Sequence, residues 1–175
     1  PSPTRASVIA WKCEDAGTLR IHGDVSDAHP ECGNGITWAL ELRRGHTSEV
    51  LAKGETKGAN VFKLGPFENV RVEAGQVVAL IIGPRDGNHV CDLTAVNLTL
   101  RDGTTTWDLA KDVSPNILKG NPHGAWHFLS QPASLEAAPD VPAVIAQWRK
   151  KPSTELAMKV RQHLDKDFPL NPPLL

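Results

Sequence analysis

Cys32 and Cys91 sit in two short loops of the same character, His29-Pro-Glu-Cys-Gly-Asn-Gly35 and Gly87-Asn-His-Val-Cys-Asp92, and a third cysteine stands at Cys13. If the fold lays those loops side by side, a Cys32–Cys91 disulfide follows, closing a long stretch of chain and contributing about 4 kcal/mol through loop entropy. A bridge from Cys13 to either partner is the rival pairing. The same loops carry His29 and His89, so Cys32, Cys91, His29 and His89 form a donor set that zinc accepts. Their spacing is not that of a zinc finger, and a disulfide flanked by surface histidines is the simpler reading. Oxygen donors cluster there as well, in Asp24, Asp27, Glu31, Asn34 and Asp92. Calcium takes six to eight oxygens, and Asp27, Asn34 and Asp92 are its expected ligands here. No EF-hand order is present, and acidic loop residues otherwise close turns by bonding their own backbone.

The chain has five Trp and no Tyr. A sugar site needs an aromatic face beside a few fixed polar groups. Trp11 and Trp38 fall on apolar strand rows and read as core. Trp107 and Trp126 flank a Pro- and Asn-containing stretch and are the candidate platforms, although pinning that stretch by packing is the competing role. Trp148 reads as a docking residue of the C-terminal segment. His22, Asp24 and Asn97, with Arg20, share an outward strand face and form a second candidate polar surface, with plain solvated surface as its alternative. Catalytic signatures are missing: there is no Gly-x-Ser-x-Gly elbow, no phosphate-binding Gly-x-x-x-x-Gly-Lys loop and no His-Glu-x-x-His. Glycosidases need two carboxylates spaced across a cleft, and no pair stands out, so a non-enzyme is expected.

The elements that must position these groups read as strands. Short apolar segments divided by turn residues run from residue 6 to about 101, at 7–12, 17–26, 35–44, 49–54, 59–64, 69–73, 76–83 and 92–101. Alternation on these segments, such as Ile36, Trp38, Leu40 and Leu42 against Thr37, Ala39, Glu41 and Arg43, gives each strand one wet side. Val77 to Ile82 is apolar on both sides, as a central covered strand would be. The expectation is an all-β protein, an antiparallel β-sandwich of about eight strands with jelly-roll character. Residues 104–129 read as an irregular excursion that returns to the sandwich, placing the module at 1–131. Residues 132–175 read as a linker and helical connector, with helices over 141–150 and 153–165, the second striped by Leu156, Val160 and Leu164.

At 175 residues, 19 Lys+Arg against 20 Asp+Glu leave a net charge of -1, so no basic field invites nucleic acid. The longest apolar run is far short of the roughly 20 residues of a membrane-spanning helix, and residues 1–7 lack signal-peptide order.

Cys32-Gly-Asn-Gly-Ile-Thr-Trp38 with the strand to Arg44, Asn88-His-Val-Cys-Asp-Leu-Thr94, Trp107-Asp-Leu-Ala-Lys-Asp-Val-Ser-Pro115, Gly120-Asn-Pro-His123 and Trp126-His-Phe128 together resemble a module of large planctomycete surface proteins. In those proteins it lies between the conserved domains that accompany planctomycete-type cytochrome c. The resemblance implies a carbohydrate-binding-module-like sandwich in a periplasmic or cell-surface setting, with polysaccharide and neighbouring domains as partners. Haem would sit elsewhere, since the chain has no Cys-x-x-Cys-His. The expected function is therefore a non-catalytic polysaccharide-binding module, with a structural or docking spacer as the alternative.

Overall fold

The computed structural model describes residues 1–29, 31–45, 47–114, 116, 120–133, 147–148 and 151–167. The chain forms two compact units, Pro1–Ser134 and Leu135–Leu175.

The first unit is an antiparallel β-sandwich of β1 (Arg5–Lys12), β2 (Gly17–Asp27), β3 (Ile36–Arg44), β4 (Thr47–Thr56), β5 (Val61–Val72), β6 (Val77–Pro84), β7 (Thr94–Asp102), β8 (Thr105–Asp108) and β9 (Trp126–Pro132), with a one-turn helix α1 (Leu109–Asp112) after β8. One sheet has the order β4-β3-β6-β1-β9 and the other β5-β2-β7-β8. Only β3–β4 and β7–β8 are joined within a sheet; every other connection crosses between sheets. The core follows the alternation: Leu19, Ile21 and Val25 of β2, Ile36, Trp38, Leu40 and Leu42 of β3, and Leu98 and Leu100 of β7 are buried between the sheets. On β6, Val78, Leu80 and Ile82 join that core, while Ala79 and Ile81 belong to a second buried cluster with Ala6, Val8 and Ala10 of β1. Both faces of the central strand are thus removed from water, as its unbroken apolar run requires.

Two expectations are corrected. Segments 59–64 and 69–73 are not two strands but the halves of β5. Gly65, at φ 80, and Pro66 sit where a turn is read, yet the chain runs on, and the pairing with β2 shifts register on either side of Ile21, as a bulge does. The segment 104–129 is less irregular than its punctuation suggests. It contains β8 and α1, whose N-cap Asp108 accepts a hydrogen bond from the Ala110 N–H at 3.1 Å. It then enters β9, which adds an edge to the first sheet by pairing with β1 from Trp11↔Trp126 to Arg5↔Pro132. Pro132 is tolerated there because an edge strand leaves its outer N–H positions unpaired.

Gly23 lies at the centre of the β5-β2-β7 sheet, and a Cβ at that position would collide with the Asn97 backbone carbonyl. Backbone cannot retreat as a flexible side-chain end can. Gly23→Ala is therefore expected to cost about 2–3 kcal/mol, at the upper end of overpacking, measured as a shift of the urea midpoint at unchanged slope. A loss below about 0.5 kcal/mol would show that β7 moves aside.

The second unit contains α2 (Thr154–Asp167). Ser153 caps it: its hydroxyl accepts from the Leu156 N–H at 3.2 Å and its carbonyl from the Ala157 N–H at 2.9 Å. Leu156 and Val160 are half-buried, and Lys159 pairs with Glu155 one turn earlier at 2.8 Å. The side chain of Leu164, the third member of the stripe, is outside the described residues. So is the helix expected over 141–150 except for Gln147 and Trp148, which are helical.

Candidate functional site

The β1–β2 turn and the β2–β3 loop lie at opposite ends of β2, and so at opposite ends of the sandwich. The β2–β3 end carries the disulfide. Cys32 and Cys91 are bonded with a Cα separation of 5.6 Å across 59 residues of sequence, and Cys13 is free and buried, which removes the rival pairings. The four-residue zinc site does not form in this state: both sulfurs are spent on each other, and zinc needs thiolates. Among the described residues the group of metal-ligating atoms here is His29, Cys32 and Cys91, without His89.

Asp27, Asn34 and Asp92 lie on the same loops. Asp27 is buried and its Oδ1 accepts from the His29 N–H at 2.8 Å. Asn34 donates through Nδ2 to the Arg85 carbonyl at 2.8 Å, leaving its Oδ1 and the Asp92 Oδ2 buried without a hydrogen-bond partner. Burial pushes the Asp92 carboxyl above the ordinary carboxylate range; Asp27 acts in the same direction, against the N-terminal ammonium and His89. Two orphaned oxygens are fewer than calcium takes, so backbone carbonyls and water would have to complete a sphere.

His22, Asp24 and Asn97 come together on the outer face of the second sheet, where His22 faces Thr99 and Asp24 faces Asn97 across β2 and β7. The Asp24 carboxylate is occupied by its neighbours, accepting from Asn97 Nδ2 at 2.8 Å and from Lys63 Nζ at 3.2 Å. With Gly65 and Pro66 these residues line an open depression of about 570 Å³ whose lining includes no Trp or Phe.

The two tryptophans lie elsewhere, in a cleft of about 670 Å³ at the β1–β2 end. Its walls come from the β1–β2 turn (Lys12, Glu14, Asp15), the β7–β8 hairpin (Asp102, Thr105, Thr106 and Trp107) and the approach to β9 (His123 to Trp126). Trp126 is 0% exposed, so neither ring face is open to a ligand, and it is withdrawn as a platform. Its Nε1 donates to Asp112 Oδ2 at 3.0 Å, and the same oxygen accepts from the Asp108 N–H at 2.9 Å. Trp126 is the pin of the excursion. Trp107 is half-buried and held edge-to-face by the buried Trp11, with centroids 4.8 Å apart and planes at 62°. Trp11 lines the cleft as well, and its Nε1 is buried without a partner. His123 packs edge-on against Phe128 at 5.8 Å.

Sequence reasoning found Trp107 but not its neighbours. Glu14, Asp15 and Asp102 fall outside the strand segments read from the sequence, and only the crossing of β1–β2 and β7–β8 at one end of the sandwich groups them. Together with Asp112 they outnumber Lys12, making the cleft acidic. That field reaches Cys13: burial first, then Asp15 and Asp102, hold its thiol above the ordinary range. In the native oxidised chain, iodoacetamide is expected to leave Cys13 unmodified at pH 8 while the unfolded chain is alkylated within minutes. Because the thiol ionises more readily unfolded than folded, its stabilising contribution is complete below the unfolded thiol pKa and is lost as pH rises through the folded one. Ready labelling of the folded chain at pH 8 would contradict the burial.

No protein-family model, no curated protein and no solved structure matches the chain.

Proposed function

We propose that the chain is a non-catalytic carbohydrate-binding module that holds a polysaccharide in the β1–β2 end cleft. The observation that carries this is Trp107, half-buried and braced by Trp11 at 4.8 Å, in an open cleft otherwise rimmed by carboxylates and by Thr105 and Thr106. An aromatic ring covers the apolar C–H face of a sugar, while carboxylates accept from paired hydroxyls in charge-assisted bonds. Asp112 is already committed through Oδ2 to Trp126 and Asp108, so one of the four carboxylates serves the scaffold. The disulfide supports an exported, oxidising setting for such a module.

The test is affinity electrophoresis of the full chain through gels containing neutral, amine-bearing and uronate polysaccharides, with EDTA or with calcium. Retardation by at least one glycan is expected, and Trp107→Ala should weaken it at least tenfold, a loss of about 1.4 kcal/mol that burial of one aromatic face supplies. No retardation on any gel, or undiminished binding by the variant, would overturn the reading. Release of reducing ends from the bound glycan would make it a hydrolase instead.

A docking role is favoured by a different observation: Met158 on α2 is 57% exposed and Trp148 38%, apolar groups that a neighbouring domain would cover. Concentration-dependent self-association of the full chain, absent from residues 1–134 alone, would support it.

A further inference from the structure

We infer that the Cys32–Cys91 disulfide masks a zinc site, and that the reduced chain binds one zinc ion through Cys32 Sγ, Cys91 Sγ and an imidazole nitrogen of His29, with a water as fourth ligand. The ligand atoms of these three residues lie within 4.8 Å of one another. Tetrahedral zinc, with bonds of about 2.3 Å to sulfur and 2.0–2.1 Å to nitrogen, needs its donors roughly 3.4–3.8 Å apart. Breaking the S–S bond lets the two sulfurs separate toward that distance, while His29 is already close enough to join them.

The site depends on the two loops staying in place once the covalent link is gone, and the structure holds them by other means. Strands β2 and β7 pair up to Asp27↔Thr94, and the Ala28 N–H continues the ladder to the Leu93 carbonyl at 2.7 Å. Asn34 Nδ2 ties the far side of the β2–β3 loop to the Arg85 carbonyl at 2.8 Å. Within that loop the His29 N–H is fixed on Asp27 Oδ1, and the Cys32 N–H donates to the His29 carbonyl at 3.2 Å, so the two ligands are set by one turn. In the other loop Cys91 is left-handed at φ 64, a conformation that persists only where its surroundings impose it. The Leu93 N–H, donating to the Cys91 carbonyl at 2.7 Å, and the Val90 N–H, donating to Asn88 Oδ1 at 3.0 Å, are part of that constraint. His29 is exposed, which gives an ion a way in.

The chemistry balances with a dithiol reductant. It gives up two electrons and becomes its own disulfide; the Sγ–Sγ bond breaks, and the two sulfurs take up the two protons the dithiol loses. Zinc then replaces both thiol protons, which pass to the buffer. The oxidised chain offers one imidazole there and no thiolate.

The experiment uses the full chain, reduced by a dithiol, desalted without oxygen and titrated with zinc against a chromophoric chelator. One equivalent should bind, the oxidised chain should take up none at this site, and cobalt should give thiolate charge-transfer and intense tetrahedral bands. His29→Ala should weaken zinc at least tenfold and Cys13→Ser should leave it unchanged. Zinc should also raise the melting temperature of the reduced chain and not that of Cys32→Ser. The inference is overturned by less than half an equivalent bound, by full affinity in His29→Ala, by loss of the site in Cys13→Ser, or by a reduced chain that unfolds and is not restored by zinc.

Discussion

Reducing the Cys32–Cys91 bond with metal excluded is expected to lower the melting temperature of the sandwich by roughly 12–16 °C. The bond closes a loop of 59 residues, which in the chain-entropy picture destabilises the unfolded state by about 4 kcal/mol. A unit of this size shifts by about 3–4 °C for each kcal/mol. Domain stabilities lie near 5–15 kcal/mol, so the reduced unit should remain folded at 25 °C. Its remaining bonds, Ala28 to Leu93 and Asn34 to Arg85, keep the loops together without covalent help. Calorimetry of the oxidised and reduced Cys13→Ser chain in chelator measures the effect, and Cys32→Ser should reproduce it. A drop below about 3 °C would mean that the unfolded chain already holds these loops near each other, so that closing them removes little entropy.

The disulfide was legible because both loops share a local pattern and both precede a strand that alternation identifies. Strands whose buried rows are strict, such as Ile36, Trp38, Leu40 and Leu42 of β3, were legible for the same reason: period two survives in sequence wherever one face is dry. What was not legible depended on partners distant in the chain. Gly65-Pro66 has the local chemistry of a turn, and only the pairing of β5 with β2 keeps the strand running through it. β8 is four residues long, too short for alternation to register. β9 shows Trp126 and Phe128 packed on the core and Leu129 exposed, but that parity has meaning only once β1 is known to lie beside it.

The cleft follows the same rule. Each of its walls is an ordinary turn when read alone: Glu14-Asp15, Asp102-Gly103 and His123-Gly124 are residues that turns use everywhere. They become one site because β1–β2, β7–β8 and the approach to β9 open at the same end of the sandwich. The polar face of His22, Asp24 and Asn97 was predictable from parity on β2 and β7, and parity is also why it is a weaker site. Residues opposed across a pair of strands satisfy one another, as Asn97 and Lys63 do for Asp24, and leave fewer groups for a ligand.

The sharpest separation between structure and binding comes from the two tryptophans that flank the excursion. Trp126→Ala should cost about 3–5 kcal/mol, the range for removing a large aromatic from a core, because the ring is wholly buried. The indole also ties Asp112, and with it α1, to β9 through the Nε1 bond at 3.0 Å. Trp126→Phe keeps much of the volume and loses that bond, so it should cost about 1.5–3 kcal/mol, the value of a hydrogen bond to a charged group. Trp107→Ala leaves the Trp11 ring in place and removes a half-buried one, so its stability loss should stay below that of Trp126→Ala while its glycan affinity falls. Urea midpoints and gel retardation measured on the same three variants decide the matter. If Trp126→Phe unfolds no more readily than the parent, the Asp112 bond does not hold the excursion. If Trp126→Phe loses the glycan as Trp107→Ala does, with its urea midpoint preserved, then the indole acts on the ligand through the wall it supports, and the cleft is shaped by the pin as much as by the platform.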